Sequence, residues 1–142
     1  MFGLVERDGR ARTYNVKNVN RHNVIDKIKD NIAISADAVY TDDSRLYDRM
    51  PDNVQKHEIV NHSAKEWVRG DVHTCTIDGY WGLLKRGIIG SFHQVSVKHL
   101  DAYLDELEFR FNNRRNDCIF RDTLMKLVKA EKLPYQELVK AA

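Results

Sequence analysis

Two aspartates and one lysine have side chains of the types that take part in metal-dependent phosphoryl transfer. Thirty-five residues lie between Asp42 and Asp78, and Lys85 follows Asp78 by seven positions. Seven residues make nearly two helical turns, so Asp78 and Lys85 would share one helix face. Carboxylates can hold two divalent ions about 4 Å apart, which stabilise the attacking and leaving oxygens. A lysine ammonium can hold a phosphate beside them.

The same residues also have ordinary structural explanations. The chain has 21 acidic residues, so acidic pairs at any separation are common. Asp42 lies in a Thr-Asp-Asp-Ser segment that favours a turn, and Asp78 would be stabilised by the dipole of a helical first turn. Three histidines flank the region without the spacing of a compact zinc motif: His57, His62 and His73. Spacing alone therefore leaves both explanations open.

Alternating strand and helix patterns must position these residues. Asp8-Gly9 between two apolar runs predicts a hairpin, and Asp42 follows a short buried strand, at the sheet edge where α/β folds bind ligands. The predicted elements are a hairpin at 2–16, a helix at about 20–32, a strand at 36–40 and C-terminal helices at about 76–88, 96–112 and 117–130, within one domain over residues 1–142. This order predicts an α/β fold with a helical C-terminal half.

Helical spacing of apolar residues predicts which helix faces are buried. In the helix that carries Asp78, this stripe consists of Ile77, Trp81, Leu84 and Ile88. In the last long helix, the residues predicted to point inward are Phe120, Leu124, Leu127 and Val128. Trp67 is expected to pack in the core rather than to stack on bases. Minor elements are predicted as a short helix at 44–50, a small strand at 58–61 and a last turn at 133–139.

The composition is that of a globular protein. Hydrophobic residues make up 42% of the 142 residues and charged residues 31%, which argues against disorder. No apolar run approaches the roughly 20 residues that span a bilayer, and the first residues lack a signal-peptide pattern, so we expect a cytoplasmic protein with no membrane contact. Cys75 and Cys118 are expected to be reduced and buried. The net charge of +2 is too small to argue for nucleic acid.

Linked motifs along most of the chain point to a family. They are Tyr40–Asp42, Val60–Ser63, Val68–Asp71, Val72–Gly87, Lys98–Leu100, Tyr103–Glu106 and Phe109–Asn112. In content and order they resemble the ISXO-like group of bacterial insertion-sequence transposases in the DDE superfamily. The resemblance implies an RNase H-like catalytic core that cuts DNA and joins its ends with Mg²⁺ or Mn²⁺. By position, Asp42 resembles the second metal-binding carboxylate, Asp78 the third, and Lys85 the basic residue after it.

Departures from the family pattern bear on activity. Family members usually have asparagine and glutamate where this chain has Cys75 and Asp78, and aspartate is one methylene shorter than glutamate. The resemblance also places a first catalytic aspartate on a strand before the hairpin. We therefore expect an RNase H-like core that is incomplete at its N-terminus. Such a copy would bind metal weakly and have weak or no activity.

The resemblance also implies DNA partners, the element ends and the target, and an oligomer formed in a synaptic complex or through an exposed hairpin edge. The residues expected to contact DNA are His62, His73, Arg86, Arg110 and Arg114. For the two arginines at the end of their helix, favourable contact with the helix dipole is an equally good explanation. Two alternatives stay open: a non-catalytic DNA-binding or assembly module, and an RNase H-like nuclease that hydrolyses DNA without joining it.

Overall fold

A mixed α/β architecture orders the chain. The structure is a computed structural model that describes residues 1–33 and 36–136; the predicted turn at 133–139 falls partly outside them. The strands are β1 (Phe2–Val5), β2 (Ala11–Tyr14), β3 (Val39–Asp42), β4 (His57–Val60), β5 (Val68–Arg69) and β6 (Val72–His73). The helices are α1 (Arg21–Asn31), α2 (Cys75–Gly87), α3 (Leu100–Asn112) and α4 (Ile119–Lys129).

The predicted hairpin is present as an antiparallel pair. Phe2 pairs with Tyr14 and Val5 with Ala11. In the turn, Asp8 rather than Gly9 takes the left-handed conformation, with φ of 58°, which aspartate tolerates better than most residues. The Asp8-Gly9 signal therefore locates the turn correctly, although the glycine is not the residue that needs positive φ.

The hairpin lies between α1 on one side and α2 and α3 on the other. It can pack on both sides because strand side chains alternate between its two faces. On one face, Phe2 packs with Val24 and Ile28 of α1. On the other face, Ala11 packs in a second cluster with residues of α2 and α3, namely Tyr80, Leu84, Leu104 and Leu107. The hairpin thus joins α1 to the C-terminal helices and fixes the position of α2.

Side chains of α3 occupy the outer edge of β2. Asn112 accepts a hydrogen bond from the Ala11 amide at 2.7 Å and donates one to the Ala11 carbonyl at 2.9 Å. Glu108 accepts from the Thr13 amide at 2.8 Å. Since these bonds replace strand pairing, another chain could pair with this edge only by displacing them.

A parallel strand pair carries the first candidate residue. β3 pairs with β4 so that Val39 lies opposite His57 and Asp42 opposite Val60. The strand predicted at 36–40 is therefore shifted: it begins at Val39 and includes Asp42. The parallel ladder extends the backbone through Thr41 and Asp42, so tertiary pairing moves the start of the predicted turn to the end of the strand.

The predicted minor elements are shorter or shifted. The helix predicted at 44–50 is a single 3-10 turn, Arg45–Tyr47, and the strand predicted at 58–61 is His57–Val60. The helix predicted at 96–112 begins with a 3-10 turn, Val97–His99, before α3. α2 starts one residue earlier than expected, at Cys75, and a π-helical turn, Ile88–Phe92, follows it.

Several burial predictions are wrong. The stripe of α4 faces solvent instead of the core, with exposures of 75% for Phe120 and 84% for Val128. Trp67 is 62% exposed, and both cysteines are free and exposed. In α2 the most deeply buried side chain is Tyr80, which the predicted stripe omits. Periodicity identifies an apolar face but does not show whether another element covers it.

No helix within the described residues is long and apolar enough to cross a membrane.

A candidate active site between the hairpin and the parallel strands

A cleft of about 1210 Å³ separates β1 from β3. Both strands line it, together with α1 and the start of α2. The candidate residues that line it are Asp42, His62, His73 and Asp78. Two carboxylates that are distant in the sequence, Asp42 and Asp78, thus both line this cleft.

Asp42 is the last residue of β3, and its side chain is exposed. Its Oδ1 accepts a hydrogen bond from the Ser44 amide at 3.2 Å, which begins the turn after the strand. Burial and, secondarily, the charge of Asp42 raise the pKa of Tyr47. Asp42 thus has the turn contact expected from its sequence context and also lines the cleft.

Asp78 lies in the first turn of α2. The buried hydroxyl of Thr74 donates to Asp78 Oδ2 at 2.9 Å, and the Asp78 amide donates to the Thr74 carbonyl at 3.1 Å. A carboxylate here is also stabilised by the positive end of the helix dipole. The structural explanation for Asp78 is therefore correct, and it is compatible with a role in the cleft.

Lys85 lies two turns after Asp78 on α2. The two residues line a smaller pocket together with Trp81 and Gly82, as expected from their seven-residue spacing. The lysine side chain is exposed at this pocket. A cation and a carboxylate thus border one surface next to the main cleft.

His62 and His73 differ from surface histidines in their surroundings. His62 Nε2 lies 3.2 Å from Thr74 Oγ1, and its ring lies against Trp67 with centroids 4.8 Å apart. Nδ1 of each histidine is buried with no hydrogen-bond partner among the described residues. A buried nitrogen without a partner is costly to retain. In each ring, therefore, one buried nitrogen has no hydrogen bond to the described residues.

A second threonine–histidine contact lies on β3 and β4. Thr41 Oγ1 is 2.8 Å from His57 Nε2, and Thr41 is buried. Desolvation by burial lowers the pKa of His57. The contact links the two strands one residue before Asp42, so it supports the backbone that positions that carboxylate.

The three arginines predicted to contact DNA lie outside the residues that line the cleft. Arg86 is exposed in the last turn of α2. Arg110 forms an ion pair with Glu106. Arg114 donates to the Gly9 carbonyl at 3.1 Å and to the Phe111 carbonyl at 2.9 Å. Arg114 therefore ties α3 to the hairpin turn, and contact of any of the three with DNA stays a prediction.

The cleft's acidic residues suit a hard divalent cation only in part. Mg²⁺ commonly takes one or two protein carboxylates, with water and substrate phosphates completing its shell. Asp42 and Asp78 could serve as such ligands. Among residues 1–33 and 36–136, however, no three His, Cys, Asp or Glu side chains are grouped closely enough to hold a metal by themselves. Weak metal binding at these two carboxylates therefore stays a prediction.

Two threonines near the site were not identified from the sequence. Thr74 precedes Asp78 by four residues, so helical geometry could have suggested their contact. No sequence signal links Thr74 to His62, because that contact depends on how the loop after β4 folds back against α2. The same is true of Thr41 and His57, which meet only through strand pairing.

Comparisons with known proteins identify the family of the chain. The ISXO2-like transposase domain model matches residues 1–112. The chain belongs to the ISXO2-like transposase family. The match includes the cleft and Lys85, whereas α4 lies beyond it. An "Uncharacterized transposase-like protein" from Haemophilus influenzae (strain ATCC 51907 / DSM 11121 / KW20 / Rd) is 33% identical over 75 residues. That alignment covers 53% of this chain and 59% of the relative. No solved structure matches significantly.

Proposed function

We propose that the chain is a DDE-type transposase catalytic region that performs metal-dependent cleavage and transfer of DNA strands. The observation that carries this proposal is the shared cleft of Asp42 and Asp78, lined by two separate parts of the family match. The order of hairpin, helix, parallel strands and helix supports an RNase H-like arrangement.

Each candidate residue has a defined role in this proposal. Asp42 and Asp78 would hold Mg²⁺ or Mn²⁺, which, when bound, activates the attacking oxygen and stabilises the leaving oxygen. Lys85 would bind a DNA phosphate near Asp78, as a compact charge. Since no three possible ligand side chains are grouped among the described residues, metal binding should be weak until DNA phosphates add ligands.

A cleavage and joining assay tests the proposal. Labelled duplexes taken from the flanks of the gene are incubated with the full chain and Mg²⁺ or Mn²⁺. We expect slow, metal-dependent cleavage that Asp42→Ala and Asp78→Ala abolish. Asp43→Ala is the matched control, because this neighbouring carboxylate bonds to Ser63 instead of lining the cleft. Cleavage that survives both cleft substitutions would refute the assigned site.

Aspartate at position 78 offers a gain-of-function test. Glutamate, the usual residue of the family at this position, reaches one methylene further. If Asp78 is a metal ligand, Asp78→Glu should raise the cleavage rate and lower the Mn²⁺ concentration needed for half-maximal activity. An unchanged metal dependence would argue that this side chain does not bind the ion.

A non-catalytic DNA-binding module is the second candidate. The observation that favours it is the lack of a three-residue metal cluster in the described part of the chain. It predicts that the chain binds DNA and that the logarithm of the association constant falls linearly with the logarithm of salt concentration. The slope should be about −0.9 per phosphate contacted. Salt-sensitive binding without cleavage in either metal would select this candidate. Cleavage that depends on Asp42 and Asp78 would exclude it.

A further inference from the structure

We propose that Thr74 and His62 are positioning residues that orient the carboxylate of Asp78 through a directed chain of two hydrogen bonds. This inference rests on the proposed function, since it assigns how one of its metal ligands is held. The chain runs from His62 Nε2 to Thr74 Oγ1, 3.2 Å, and from Thr74 Oγ1 to Asp78 Oδ2, 2.9 Å.

The direction of this chain follows from the number of protons available. A carboxylate only accepts hydrogen bonds, so the single hydroxyl proton of Thr74 goes to Asp78 Oδ2. Thr74 Oγ1 can then interact with His62 only as an acceptor. His62 must therefore carry a proton on Nε2. In the neutral ring, this leaves Nδ1 as a bare acceptor.

The surroundings of His62 agree with that assignment. Its Nδ1 is buried and has no hydrogen-bond partner among residues 1–33 and 36–136. If Nδ1 carried the proton instead, Nε2 could not donate to Thr74. In addition, a buried N–H group would lack an acceptor, which is costly. The Trp67 ring, 4.8 Å away between centroids, packs against one side of the imidazole.

The consequence for the site is preorganisation. Thr74 is buried, with 8% of its surface exposed, so its hydroxyl is a fixed donor rather than a mobile surface group. It engages one oxygen of Asp78 and leaves the other for a ligand. Groups that orient a metal ligand in this way commonly change metal affinity 10–100-fold when they are removed. The loop after β4 thus acts on α2 through one hydroxyl.

The first test reads the protonated nitrogen of His62 in the full chain without metal or DNA. Ring ¹⁵N chemical shifts in mildly alkaline buffer distinguish a protonated nitrogen from a bare one. We expect a proton on Nε2 and a bare Nδ1. A ring protonated on Nδ1 would overturn the proposal, whatever the protein's activity.

The second test measures Mn²⁺ affinity by titration. Thr74→Val removes the hydroxyl and keeps the shape, and should weaken binding by roughly 10–100-fold. Thr74→Ser restores a hydroxyl and should stay near wild type. Thr123→Val, which removes a hydroxyl from α4, is the matched control and should have no effect. Equal affinity of the Thr74→Val and wild-type chains would overturn the proposal.

A double substitution separates positioning from independent roles. His62→Phe keeps an aromatic ring against Trp67 but removes the Nε2 donor. Because His62 acts through Thr74, adding His62→Phe to Thr74→Val should cause little further loss. Fully additive losses of Mn²⁺ affinity would contradict a hydrogen-bond chain in which His62 acts through Thr74. If Asp42→Asn and Asp78→Asn leave Mn²⁺ affinity unchanged, the proposed metal site fails, while the ring-nitrogen measurement still decides the hydrogen-bond chain.

Discussion

Replacing Gly3 by alanine tests how tightly the hairpin packs against α2. A Cβ at this position would lie 2.7 Å from Trp81 Cζ2 and 2.9 Å from Cη2, closer than real Cβ atoms approach. A rigid indole cannot bend away at one atom, so the whole ring must shift. Trp81 also lines both the cleft and the pocket of Asp78 and Lys85. The substitution should therefore disturb both stability and the site.

The magnitude combines two opposing effects. Forcing an extra methyl group into a packed contact lowers the free energy of unfolding by about 1–3 kcal/mol. Gly→Ala also restricts the unfolded chain, which raises the free energy of unfolding by about 0.4–1 kcal/mol. We expect a net loss of roughly 0.5–2 kcal/mol. At about 3 °C per kcal/mol for a domain of this size, Gly3→Ala should lower Tm by roughly 2–6 °C.

Thermal and urea unfolding, followed by circular dichroism, measure this effect. Gly79→Ala is the matched control, because a Cβ there meets nothing within 4 Å and alanine favours the helix. This control should be stabilised by up to about 1 kcal/mol. In a Trp81→Phe background, which removes the benzo ring, Gly3→Ala should cost less. A neutral Gly3→Ala, or an unchanged cost in that background, would refute the packing argument.

Two further predictions follow from hydrogen bonds. Asn112→Ala removes both bonds to Ala11 and should lower the free energy of unfolding by about 1–3 kcal/mol in urea titrations. Asn113→Ala loses one bond, from the C-cap of α3 to the Phe109 carbonyl, and should lower it less. Equal losses in the two variants would refute the bridging role of Asn112. The Ser63 hydroxyl holds the pKa of Asp43 below its usual range, so in an NMR titration Ser63→Ala should raise it. The stabilisation from this depressed pKa is present above the unfolded-state pKa and disappears as pH falls through the folded-state value; an unchanged Asp43 titration in the variant would contradict the assignment.

Local patterns in the sequence were sufficient for much of the architecture. The Asp8-Gly9 turn located the hairpin, and the spacing of Ile77, Leu84 and Ile88 located α2, because turn chemistry and helical periodicity are properties of neighbouring residues. The seven-residue spacing of Asp78 and Lys85 correctly placed both on one face of α2, where they line one pocket. The linked motifs also identified the family, which the match over residues 1–112 confirms.

Contacts between segments that are distant in the sequence could not be predicted from local patterns. The apolar stripe of α4 was predicted to be buried, yet Phe120 and Val128 face solvent, because periodicity does not reveal what packs against a face. The parallel pairing with β4 extended β3 to Asp42, so the predicted turn begins only at the end of the strand.

The sequence by itself determined the residue types, the helix that carries Asp78 and Lys85, and membership of the family, since all of these depend on short-range order along the chain. Only the tertiary structure decided that Asp42 and Asp78 line one cleft and that His62 reaches Asp78 through Thr74. The physical reason is that these contacts join segments whose relative position is set by the packing of the hairpin, the parallel strands and α2.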